Sequence, residues 1–211
     1  MRRLFRQNRG AVMVLAAACV TVLLLMAGLA LDFGRIHLLR AHLQTAVDAA
    51  SLAGALQAIP MVDVRVNRRV WVDETCQDPV SGEWYDCSHW ENASPVTLSG
   101  TYRELIDENG WRQGPHCDRP YSCRSRTILR EWLILPPSTE PVARDTFWLN
   151  ARWPVTGSLG PEVRSLEIGV DQAHTEVTAT ARLRAPTTFL RLAGYRYIEF
   201  TRTGSAVPVK R

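Results

Sequence analysis

The sequence predicts an α+β protein: a long N-terminal transmembrane helix that runs on into an extracytoplasmic domain rich in antiparallel sheet and carrying disulfides. Three observations support this. Residues 10–31, GAVMVLAAACVTVLLLMAGLAL, hold no charge, and at helical rise such a run spans about 33 Å, enough for the hydrocarbon core. A helical pattern continues beyond it, with no proline before Pro60. The last third of the chain alternates apolar and polar residues with many β-branched positions, as half-buried strands do.

The helix comes first. Arg2, Arg3, Arg6 and Arg9 precede the apolar run, and Arg35 and Arg40 follow it, offset by Asp32. That bias puts residues 1–9 in the cytoplasm and the remainder outside. A cleaved secretory signal also begins basic and then turns apolar. Its apolar core is only about 7–15 residues and ends at a small-residue cleavage site. Here the run is longer and Asp32, Phe33 and Arg35 come next, so it reads as an uncleaved, single-pass anchor. The expected organisation is a basic N-terminus (1–9), the span (10–31), a helical extension (32–59) and one α+β domain (60–211).

In the extension, Ile36, Leu39, Leu43, Ala46, Ala50 and Ala53 recur at 3–4 spacing and share one stripe. Asp32 projects close to that stripe. Residues 46–55 are nearly all small, which lets another helix approach closely. Two uses are open: packing against another subunit in a homo- or hetero-oligomer, or packing on the chain's own domain. Asp32 has two readings as well. It snorkels to water beside Arg35, or it pairs with a partner's cation.

From Met61 to about Pro141 the sequence is irregular, with strand candidates at 64–72 and 128–135 and a helical turn at 102–108. Cys76, Cys87, Cys117 and Cys123 fall here; an even number outside the cytoplasm predicts two disulfides. Three pairings are possible, and the local one, Cys76–Cys87 with Cys117–Cys123, closes the shortest loops. Cys19, inside the apolar run, is a small hydrophobe. Zinc is the alternative, because Cys87 lies near His89 and His116 adjoins Cys117, but these spacings fit no zinc template. All seven tryptophans follow residue 70 and suit packing in a small stapled domain.

The C-terminal third predicts strands at 146–152, 163–170, 175–183 and 195–202, with a short helix at 187–192 entered through Pro186. The net charge of +4 does not point to nucleic acid, since the arginines are scattered and no recognition motif accompanies them. Nor does the sequence carry a nucleophile elbow, a zinc-protease motif, a P-loop or a dinucleotide turn. His174 has Asp171 and Glu176 nearby but no nucleophile beside it. The expectation is therefore no enzyme, no cofactor and no metal.

Two stretches resemble a known family. Asn8-Arg9-Gly10-Ala11-Val12, the apolar run, Asp32-Phe33-Gly34-Arg35 and Leu43 through Ala55 (LQTAVDAASLAGA) are similar to the N-terminal segment of the Tad proteins, the TadE/TadG-like components of bacterial tight-adherence (Flp) pili. Residues 176–181, then Pro186-Thr187-Thr188-Phe189-Leu190-Arg191-Leu192 and the final strand, resemble the C-terminal end of TadG-like proteins. The resemblance implies an inner-membrane protein with a periplasmic domain that assists assembly or anchoring of an adhesion pilus. Its partners would be the bilayer and other assembly subunits or pilins. Two departures matter. Processed pilin-like relatives carry glutamate five residues after a cleavage glycine, and counting from Gly10 that position is Leu15. The metal motif D-x-S-x-S of larger relatives finds only Asp86-Cys87-Ser88-His89-Trp90. Neither that processing nor metal-dependent adhesion is implied. A minor pilin that enters the fibre and a periplasmic metal sensor using Cys87, His89, His116 and Cys117 are the rival readings.

Overall fold

The computed structural model describes residues 4–153 and 160–209, with side chains from Val12 onward. In chain order the elements are α1 (Leu4–Ala55), β1 (Ile59–Val72), β2 (Thr75–Gln77), β3 (Trp84–Asp86) and β4 (His89–Thr101). They continue with β5 (Tyr121–Ile134), α2 (Thr139–Asn150), β6 (Glu162–Asp171), β7 (Glu176–Pro186) and β8 (Tyr197–Ala206). The chain divides into two compact units, Met1–Leu56 with Pro137–Val207, and Gln57–Pro136 with Pro208–Arg211. Residues 60–211, expected as one domain, are thus shared between them.

The first unit joins α1 to α2 and to an antiparallel sheet of order β6-β7-β8. Nearly none of the apolar part of α1 is buried within the protein, and by length and composition it can cross a membrane. Beyond Asp32 the helix gains an inner face. Ile36, Leu39, Leu43, Ala46, Val47 and Ala50 are buried, while Ala53 is half-buried. The central strand β7 answers with its own alternation: Val177, Ala179, Ala181, Leu183 and Ala185 are buried. Alanine on both surfaces brings helix and sheet close together. Larger side chains, Leu43, Val47, Leu183 and Phe147, are fully buried around that contact, each stabilising by about 1.5–3 kcal/mol relative to exposure. The stripe is used within the chain: its partners are the unit's own sheet and α2.

One expectation is corrected here. Residues 146–152 are not a strand; they are largely the end of α2. Ala143, Phe147 and Ala151 are buried at four-residue steps, a helical period. The Thr146 hydroxyl and the Asn150 amide donate to the carbonyls four residues back. Pro141 lies in the first turn, where its missing N–H costs no intrahelical bond. The short helix expected at 187–192 is a 3₁₀ turn, Leu190–Ala193.

The second unit is a sheet of order β4-β1-β5 with an appended β2-β3 hairpin. Val62, Val64 and Val66 alternate inward along β1. Leu105, from a π-helical turn at Arg103–Asp107, and Trp111, from a 3₁₀ turn at Gly110–Arg112, cover them. Cys76 bonds Cys87 and Cys117 bonds Cys123, the local pairing, with Cα separations of 5.8 and 5.1 Å. His116 does lie near Cys117 and Cys123. Those sulfurs are joined to each other, however, and a disulfide offers no thiolate to a metal. His116 Nε2 meets the Trp111 carbonyl at 3.0 Å instead.

Candidate functional site

The position that ties sequence to architecture is Asp32, one residue past the apolar run. It is 4 % exposed, so its charge must be answered inside the protein. The answer comes from the far end of the chain. The backbone N–H of Thr188 donates to both carboxylate oxygens at 3.1 and 3.2 Å. Those of Phe189 and Leu190 donate at 2.7 and 2.8 Å. Asp32 thereby satisfies the amides that open the 3₁₀ turn at Leu190–Ala193, with bonds strengthened by its charge. The carboxylate is buried instead of snorkelling to water, and the donors it meets are the chain's own backbone amides.

The turn is built to present those amides. Pro186 closes β7, and the buried Thr187 donates its hydroxyl to the Tyr195 carbonyl. The Thr187 N–H bonds the Arg196 carbonyl at 3.1 Å, and the Tyr195 N–H bonds that of Leu190 at 3.1 Å. Gly194 takes φ +92°, a conformation that favours glycine. One helical turn before Asp32, Gly28 receives the ring of Phe189; a Cβ there would collide with it. Asp32 and Gly28, four residues apart on one face of α1, thus hold the same turn by charge and by shape.

The remaining contacts follow the helix outward. Gln44 donates to the Thr203 carbonyl at 3.2 Å and to Asp48 at 2.9 Å. Gly204 in β8 lies against the backbone of α1, where an added Cβ would stand 2.9 Å from the Asp48 nitrogen and the Val47 carbonyl carbon. Ser51 is buried and donates to the Asp48 carbonyl at 3.0 Å. Gly54 faces Val177 and Ala143 with no room for a side chain. Arg40 lies 5.4 Å from the centre of the Phe200 ring.

Sequence reasoning missed Gly28, Gly204 and the amides of residues 188–190. Gly28 was legible as a glycine four residues before the aspartate that ends the apolar run. The backbone amides leave no mark on a sequence. His174 sits in the β6–β7 turn, where its Nδ1 meets Asp171 at 2.6 Å. Both side chains are exposed, and this is a turn-closing pair.

Residues 10–58 match the model of the Tad family, described as TadE/G-like Flp pilus assembly. This is the family that the N-terminal stretch resembles. The match contains every helix-side residue of the junction, Gly28, Asp32, Gln44, Asp48 and Gly54 among them. Residues that hold the C-terminal sheet on the helix thus lie within the stretches that carry the resemblance. Neither a search of curated proteins nor one of solved structures finds a match.

Proposed function

We propose, from this Tad-type N-terminal segment, that the chain is a TadG-like, non-enzymatic component that assists assembly or anchoring of a Tad/Flp-type adhesion pilus. It crosses the bacterial inner membrane once, with residues 1–9 in the cytoplasm and both folded units in the periplasm. The arginines ahead of the run support that orientation. Two disulfides support an oxidising compartment for the second unit.

The observation that carries the reading is the junction itself. An apolar helix and a folded sheet are held in one unit by Asp32, Gly28 and Gly204, so a load on the sheet passes directly to the helix. That is what an anchor for a fibre or its assembly machinery needs. The second unit, stapled and placed between the helix and α2 in sequence, is the surface offered to pilins or other subunits.

Cell fractionation with and without shearing, followed by intact mass, tests this. Full-length protein confined to the inner membrane, with a mass deficit matching two disulfides, is the expected result. A shortened protein in the sheared fibre fraction would identify a minor pilin and reject the anchored factor.

A further inference from the structure

The turn after β7 reaches back below the end of the apolar run. Gly28, which carries the Phe189 ring, lies three residues before Leu31, about 4–5 Å short of the run's end at helical rise. A run of about 33 Å leaves little slack in a hydrocarbon core of about 30 Å, so Gly28 to Asp32 lies near the core's edge. Whatever is fastened there is at lipid depth.

We infer that residues 187–197 form a foot seated in the interfacial layer of the bilayer that α1 crosses; this rests on the anchoring proposed above. Leu192 is 75 % exposed, Tyr195 63 % and Tyr197 49 %. Arg191, just before Leu192, and Arg196, between the two tyrosines, are exposed as well. Tyrosines at headgroup level, one protruding leucine and arginines able to pair with phosphates are the side chains an interface accepts.

Lipid is the occupant because the turn is fastened on the stretch of α1 that the anchoring places in the bilayer: Leu24 and Leu31, four residues before and three after Gly28, are exposed and apolar. The foot also explains the answer to Asp32. At the core's edge water is scarce, and the amides of residues 188–190 replace it around the carboxylate. The turn has two roles: it satisfies the anchor's buried charge and rests the sheet on the membrane.

The test uses full-length protein in phosphatidylethanolamine–phosphatidylglycerol vesicles, with an environment-sensitive fluorophore on single thiols and with the disulfides left oxidised. Cys19 carries the anchor probe. Leu192→Cys and, separately, Tyr195→Cys carry the foot probe in a Cys19→Ala background. Val80→Cys, at a position 94 % exposed, is the aqueous control. Lipids spin-labelled near the headgroup are expected to quench both foot probes several-fold more than the control, and deep-labelled lipids to quench the Cys19 probe. Foot probes quenched no more than the control, beside a quenched Cys19 probe, would overturn the foot and leave the anchor standing. Foot probes shielded from water yet unquenched by lipid would mean that a protein surface covers the turn, which also overturns it. An unquenched Cys19 probe would remove the anchor itself.

Discussion

In the first unit a 52-residue helix lends its outer half to a three-stranded sheet, whereas the second unit has no long helix and closes its loops with two disulfides. Among the described residues, eleven buried ones form the first core and five the second. A helix laid across a sheet buries two faces at once, and small residues let them meet closely. A lone sheet with short turns over one face buries less, and covalent links that restrict the unfolded chain offset the shortfall. The difference teaches where each unit is vulnerable: the first through packing at the junction, the second through its redox state.

Phe147→Ala should separate the two most sharply. Phe147 is fully buried in the first core, and such a truncation costs about 3–5 kcal/mol. Hydrogen exchange in detergent should show β6–β8 and α2 losing protection while β1, β4 and β5 keep theirs. Equal loss in both would mean that the units do not unfold separately.

Asp32→Ala comes next. It strands the amides of Thr188, Phe189 and Leu190, at about 1–3 kcal/mol for an unmade buried bond. New protease cleavage within residues 187–196 is the expected readout, with Asp32→Asn intermediate. An unchanged digest would show that the carboxylate is dispensable to the turn.

Cys117→Ser with Cys123→Ser should act in the opposite unit. A bridge across six residues contributes about 2 kcal/mol in the loop-closure picture. The loss should fall on Trp111 and the β5 start, with the first unit's urea midpoint unmoved.

The smallest effect is electrostatic. Each unit carries one histidine held above the usual imidazole value of 6.5: His174 by the Asp171 carboxylate, and His89 mainly by the Cys87 carbonyl, then Glu91. Because the folded state favours protonation at both, their contribution is present below about 6.5 and fades as pH rises through the raised folded value. Asp171→Asn should return His174 to the ordinary range in an NMR titration. Reducing the disulfides should lower the His89 titration and leave that of His174 in place. Both side chains are solvent-exposed, so the thermal midpoint should hardly move.

Much of this fold was legible from periodicity. The long helix, the β6–β8 sheet and the stripe from Ile36 to Ala50 all announce themselves by spacing that a core enforces. The strand read at residues 146–152 failed because T-F-W-L-N-A-R suits both periods over so short a window. Only burial at Ala143, Phe147 and Ala151 decides it. The junction was half legible. Asp32 stood out as a charge at a membrane edge, yet its partners are backbone amides from residues 188–190, whose N–H groups are the same in any sequence. Gly204 lies beyond the strand expected at 195–202, and its role emerges only once the helix backbone is seen against it.

The distance along the chain between Asp32 and Thr188 is 156 residues, and it sets an order of events. The stem of α1 is synthesised early, with its apolar face uncovered and the Asp32 carboxylate still without its backbone donors. The amides that answer it are made near the end, after the whole second unit. Closing so distant a pair is slow relative to local folding, so a newborn chain carries its long helix with the latch open while the rest is completed. Leu43, Val47 and Ala50 would be uncovered in that interval, and a neighbour that shelters them would meet this protein before its own last strand does.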